Sequence, residues 1–149
     1  MKDITSYLSS NISDPMRKNH VLVVVKPGFG HLVAEFCERF KENGYTIVKT
    51  TVTRLSESQA KNLYMVHKGK DFYDALWKYM SSDITTAFIL KKKSDNIFKE
   101  FEKLKDEIRK EYGESDMRNV LHSSDSYKNF THEAGVYFYN IGQHDLTEN

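Results

Sequence analysis

Nine consecutive residues, Arg118-Asn119-Val120-Leu121-His122-Ser123-Ser124-Asp125-Ser126, concentrate a guanidinium, an amide, an imidazole, three hydroxyls and a carboxylate. Such a cluster suits phosphate: donors bind its oxygens, and a neutral imidazole nitrogen attacks phosphorus. Glu133 follows eleven residues after His122, where a carboxylate can hold the imidazole in one tautomer. Lys26 ends the apolar run Val21–Val25, at the carboxyl end of a buried strand, where open α/β sheets often place ligands. The plainer readings are a polar loop capped at Ser124 or Asp125, a surface glutamate and a solvent-facing lysine. Gly28-Phe29-Gly30 matches neither a P-loop nor a dinucleotide fingerprint, and reads as a tight turn.

The elements that must position these groups follow from hydrophobic period. Val21–Val25 is continuously apolar and β-branched, which predicts a buried strand. A helix follows, with Leu32, Val33, Phe36, Cys37 and Phe40 on one face and Gly44 at its end. Tyr45 to Thr53 reads as a second strand. Ser56-Glu57-Ser58-Gln59 has the spacing of a capping box, and Phe72, Ala75, Leu76, Tyr79 and Met80 form a helical stripe after it. Ile84 to Leu90 is the third predicted strand. Ser94 or Asp95 can cap a helix carrying Ile97, Phe101, Leu104, Ile108 and Tyr112, which Gly113 ends. A short helix around Phe130 and a fourth strand, Gly135-Val136-Tyr137-Phe138-Tyr139, complete the pattern. The expected architecture is α+β, a ferredoxin-like sandwich of a four-stranded antiparallel sheet with helices packed on it.

Composition narrows the function classes. The chain has 149 residues, 39% hydrophobic, with 22 basic and 21 acidic side chains. That suits one folded domain, and we expect an extension at 1–20, the domain at 21–139 and a polar tail at 140–149. A net charge of +1 offers no global field for nucleic acid, which is disfavoured as a partner. The exception is local: Lys91 to Lys110 holds seven Lys and one Arg against five acids, a solvated helix face or, as a third-ranked function, an RNA-binding surface. No apolar run approaches the ~18 residues of a membrane span. Cys37 is the only cysteine, so no intramolecular disulfide can form. The N-terminus lacks the apolar core of a secretory signal, and the expected location is cytoplasmic.

Taken together, Lys26-Pro27-Gly28, the Arg118–Ser126 segment and Glu133 resemble nucleoside diphosphate kinase. That family carries a K-P-D-G turn, an R-N-x-x-H-G-S-D-S segment and a glutamate before its last strand. The resemblance runs from about Val21 to Tyr139, and the histidine segment is its specific part. It implies that His122 accepts the terminal phosphate of a nucleoside triphosphate such as ATP and passes it to a diphosphate, with Glu133 and Ser124 supporting it. By the same resemblance Lys26, Tyr64, Arg109 and Asn119 hold phosphate and ribose oxygens, Phe72 stacks on the base and Leu76 lies beside it. Arg109 is placed by the Ile108-Arg109 pair, which looks like the family's T-I-R-G. Mg²⁺ is the implied cofactor, bridging phosphate oxygens, with Asp125 in contact through water. The implied partners are nucleoside tri- and diphosphates, and a homo-oligomer, dimer or hexamer, with a monomer as the alternative.

The chain also departs from the family pattern. Its first turn is shorter, and Gly28 stands where the family has aspartate. Between Lys91 and Glu107 the stretch is shorter and reads as one charged helix, without the family's further phosphate-binding arginine and threonine. Lys99, Lys103 and Lys105 are the lysines that can substitute. Asp116 replaces the valine beside the base. The alternative function is therefore a weak or inactive family-like domain that binds nucleotide or a partner.

Overall fold

The computed structural model describes residues 18–138. Its four strands are β1 (His20–Val25), β2 (Thr46–Thr53), β3 (Thr85–Lys91) and β4 (Leu121–Ser123). They form one antiparallel sheet in the order β2-β3-β1-β4, the α+β ferredoxin-like sandwich expected. Every residue of β1 is buried, as befits a central strand with neighbours on both sides and helices on both faces.

The helices are α1 (Val33–Glu42), α2 (Glu57–Leu63), α3 (Tyr73–Met80), α4 (Ile97–Tyr112) and α5 (Tyr127–Tyr137). Phe40 of α1 packs edge-on against Phe88 of β3 and tilts against Phe101 of α4, so α1 and α4 share one face of the sheet. On the opposite face, Tyr137 of α5 meets Thr85 through their hydroxyls at 2.9 Å. The capping box at α2 forms as spaced: Ser56 Oγ accepts the Gln59 N–H, and Gln59 returns a bond to the Ser56 N–H.

Four local expectations are corrected. Gly135–Tyr137 is the last turn of α5, not a strand, and Phe138 follows in coil; Tyr139 lies outside the described residues. The fourth strand is instead Leu121–Ser123, inside the segment read as a polar loop. Its three residues show too little alternation to announce a strand, and pairing with Val23–Val25 makes it one. The caps also shift: Asn96, not Ser94 or Asp95, starts α4, and Ser126, not Ser124 or Asp125, starts α5. On α3, Leu76 and Met80 are buried whereas Phe72 and Ala75 are exposed, so the stripe faces inward only in part. The charged stretch is not one helix from Lys91, which ends β3; the helix begins at Ile97.

Candidate active site

Across the sheet, His122 lies opposite Val24, and Val24 lies opposite Ala87. Directly opposed residues share a face, and alternation puts Thr85 on the face of Ala87, which is the face that α5 covers. Glu133 of α5 therefore meets the imidazole, with His122 Nε2 2.7 Å from Glu133 Oε1. Glu133 is buried, and His122 keeps about a fifth of its side chain exposed. A carboxylate only accepts, so the bond makes Nε2 the protonated nitrogen and leaves the lone pair on Nδ1. Tyr64 stands edge-on to the imidazole at 5.6 Å between centroids.

The approach to β4 is a tight turn. The Leu121 N–H donates to Asn119 O at 3.0 Å across Val120, whose φ is +80°. This is a γ-turn with a β-branched residue in the left-handed region, a conformation costing of order 1–3 kcal/mol. Tertiary contacts over-determine it: Val120 is fully buried, and its carbonyl accepts the Lys26 N–H at 2.8 Å. Beyond β4, Ser124 closes the ladder, donating its N–H to Leu22 O and accepting the Leu22 N–H at Oγ, both at 3.0 Å. Ser124 thus supports His122 by locking the strand that carries it.

The same turn places Lys26 beside Met117, whose carbonyl accepts from Nζ at 3.1 Å. Burial, then the like charges of Arg109 and Lys105, lowers the Lys26 ammonium to about 8. From the other face of the sheet, α4 sends Arg109 to the edge strand, where Nη2 donates to Leu121 O at 2.7 Å. Arg109 Nε, Tyr64 Oη and Asn119 Oδ1 are buried with no hydrogen-bond partner among the described residues. Burial also holds the Tyr64 phenol well above its ordinary range. Two donors for anionic oxygens and one acceptor for a hydroxyl thus stand unused among the described residues, although buried polar groups are nearly always paired. Arg109 and Asn119 line a hollow of about 520 Å³ that shares Asp116 with the cleft of Lys26 and Tyr64.

Lys26, Tyr64, Phe72 and Leu76 line a cleft of about 440 Å³, together with His67, Asp116 and Met117. Phe72, 45% exposed, forms its lip, with the His67 ring 5.1 Å away. His67 and Met117 carry no sequence signal as site residues. Burial lowers the His67 imidazole, helped by Lys70 and His122. Asp125 is close enough for its charge to act on His67 and Lys105, and it accepts from Asn129 Nδ2 at 2.5 Å. Arg118, the first residue of the polar cluster, turns elsewhere: it pairs with Glu114 at 2.9 Å and lies over the Phe29 and Tyr79 rings. A larger hollow of about 830 Å³, between Glu57 and Asp74, contains none of the expected site residues.

The site is thus an imidazole held by a carboxylate on the edge strand of an α+β sandwich, with buried donors that have no partner among the described residues. The family model for nucleoside diphosphate kinase matches residues 19–141. A nucleoside diphosphate kinase of Fervidobacterium nodosum is 35% identical over 126 residues, covering 78% of this chain and 86% of that protein. One of Kosmotoga olearia is 33% identical over 119 residues, covering 72% and 78%. The fold matches the Aquifex aeolicus nucleoside diphosphate kinase with a TM-score of 0.73 at 24% identity, covering 79% of this chain and 93% of that one. The chain belongs to the nucleoside diphosphate kinase family, a family of phosphotransferases. Among the described residues, no helix is long and apolar enough to cross a membrane.

Proposed function

We propose that this chain moves the terminal phosphate of a nucleoside triphosphate, ATP, to a nucleoside diphosphate through His122. The observation that carries this reading is the Glu133–His122 bond, in which Nε2–H donates to the carboxylate, so that the Nδ1 lone pair is left as nucleophile. In the first half-reaction the Nδ1 lone pair forms a bond to the γ-phosphorus, the bond from that phosphorus to the bridging oxygen breaks, and the diphosphate leaves with its electron pair. In the second, a terminal oxygen of a different diphosphate attacks the phosphohistidine, and the N–P pair returns to Nδ1. Each half-reaction is nearly the reverse of the other, so one site serves both and the kinetics are ping-pong.

On this reading Lys26 and Arg109 neutralise phosphate oxygens, and the Tyr64 hydroxyl and Arg109 Nε, without partners among the described residues, donate to them. Asn119 Oδ1, an acceptor, suits a ribose hydroxyl. Phe72 offers a face for base stacking and Leu76 an apolar contact beside it, which favours little discrimination between bases. Among the described residues no group of three His, Cys, Asp or Glu side chains could hold a metal ion. On this reading Mg²⁺ would arrive on the nucleotide's own oxygens, with Asp125 as a contact through water, and would supply charge neutralisation.

Incubation with γ-labelled ATP and magnesium is expected to give an acid-labile phosphoprotein that CDP or GDP discharges. Unlabelled wild type, or equal label on His122→Ala, would sink the reading. The second reading, binding without turnover, is motivated by the stretch between Lys91 and Glu107, which lacks the further arginine and threonine of the family pattern. It predicts calorimetric nucleotide binding with no phosphate exchange.

A further inference from the structure

We propose that Lys105 is a third phosphate-binding cation beside the strand that carries His122, acting with Lys26 and Arg109 on the terminal phosphates of the bound nucleotide. The proposal deepens the phosphoryl-transfer reading and depends on it for the identity of the ligand. Its basis is helical register. The buried face of α4 is Ile97, Phe98, Phe101, Leu104 and Ile108. Lys105 flanks that face and lies one turn before Arg109, so the two side chains project side by side from one flank. Both are half-buried, whereas Lys99, Lys103 and Lys110 are exposed. Arg109 bonds the carbonyl immediately before His122, which places this flank of the helix at the catalytic strand.

Lys105 makes no ion pair within 4.0 Å among the described residues, in contrast to Lys41, Lys61 and Lys92. Its electrostatic surroundings are mixed: Arg109 opposes its charge, while Glu102, Asp106 and Asp125 favour it. Burial comes first among the causes that lower Lys105, Lys26 and Arg109 alike, and Lys105 is one of the two charges acting on Lys26. Partly desolvated cations that feel one another's charge are unfavourable until an anion joins them. A nucleotide's terminal phosphates carry several negative oxygens and fit that need. Because a lysine is a point charge on a flexible stem, it can serve where no guanidinium is oriented for bidentate binding.

The test compares wild type with Lys105→Gln, Lys105→Arg and the exposed control Lys103→Gln, each checked for cooperative melting. Inorganic tripolyphosphate, which has no base or ribose, is titrated by calorimetry, and labelling of His122 by ATP is followed in parallel. Lys105→Gln is expected to weaken tripolyphosphate binding ~10–100-fold, the range for a charge-assisted hydrogen bond. Lys105→Arg should restore most of the loss, and Lys103→Gln should stay within ~2-fold. If Lys105→Gln does not fold, Lys105→Met, which keeps the apolar stem, takes its place with the same expectation. Tripolyphosphate binding unchanged in the neutral variant, or absent from wild type, overturns the proposal. The two readings fail separately. Wild type that labels normally while the neutral variant binds unchanged removes only Lys105. Wild type that binds tripolyphosphate through Lys105 yet never labels removes only the transferase reading.

Discussion

The Glu133 carboxylate lies 2.7 Å from the Nε2 atom of His122, joining the middle of helix α5 to the middle of strand β4. Because Glu133 is buried, it has little water to compete for the imidazole proton. Glu133→Ala removes the group that selects the tautomer, so labelling of His122 by ATP is expected to slow ~10²–10⁴-fold. Glu133→Gln, which still accepts at Oε1, should retain more. A single-turnover quench measurement checks both; equal rates in wild type and Glu133→Ala would remove Glu133 from the site.

Tyr64 buries a hydroxyl with no partner among the described residues, so its removal should not harm the fold. Tyr64→Phe is expected to be neutral or up to ~1 kcal/mol more stable in urea denaturation, because an unmet desolvation cost disappears. The KM for ATP should rise by roughly 5–10-fold as one hydrogen bond to phosphate is lost. A loss of stability would mean that the hydroxyl is paired in solution.

Lys26 couples stability to pH. Its folded pKa is lowered from 10.5 to about 8, first by burial and then by Arg109 and Lys105. Between those values the unfolded chain holds more protons, so the contribution of this group to stability rises with pH across the window. Below about 8 the buried ammonium costs the fold about 3 kcal/mol. Lys26→Met should therefore be more stable than wild type at pH 7, the gap closing toward pH 10.5, as chemical denaturation at several pH values will show. An arriving phosphate favours the charged form, so nucleotide binding near pH 9 should take up a proton. Calorimetry in buffers of different ionisation heat measures it.

Gly28 occupies φ +91°, and a Cβ built there would stand 2.8 Å from Arg118 Nη2. Gly28→Ala should cost ~1–2 kcal/mol from the left-handed backbone alone. It should also push Arg118 from its seat over Phe29 and Tyr79. Combined with Arg118→Met, the second effect vanishes. A double-mutant cycle in urea reads the coupling, and strict additivity would contradict the contact.

Asp116 puts a carboxylate in the same cleft wall system as Phe72. Asp116→Val replaces an anion that repels phosphate with apolar surface, and should lower the KM for nucleotides about 3–10-fold, equivalent to ~1 kcal/mol. Unchanged KM values would show that the carboxylate points into water.

Much of the frame was legible because it is local. Val21–Val25 is apolar without interruption, the Ser56–Gln59 spacing satisfies two helix-start donors, and the Ile97, Phe101, Leu104 and Ile108 stripe has the helical period. The errors that bear on the site fall after Asn119. Gly135–Tyr139 combines β-branched and aromatic residues, so propensity favoured a strand; in the fold Phe130, Ala134 and Tyr137 repeat at helical spacing and pack as α5. Propensity is weak and packing overrides it. The consequence reaches the site, since Glu133 sits inside a helix and not before a strand.

By itself the sequence determined which groups are present: an imidazole, a carboxylate, Lys26, Arg109, Asn119 and Tyr64, in an order resembling one family. Only the tertiary structure decided which of them meet. The three-residue β4 exists because β1 offers it an edge, the strained Val120 is held by that pairing, and Arg109 reaches Leu121 from the far face of the sheet. The same holds for the lysines: Lys99, Lys103 and Lys105 are alike in composition, and burial against the sheet edge separates the last from the other two. Charge and hydrogen-bonding capacity belong to residue types, whereas desolvation and direction arise from contacts between segments remote in the chain.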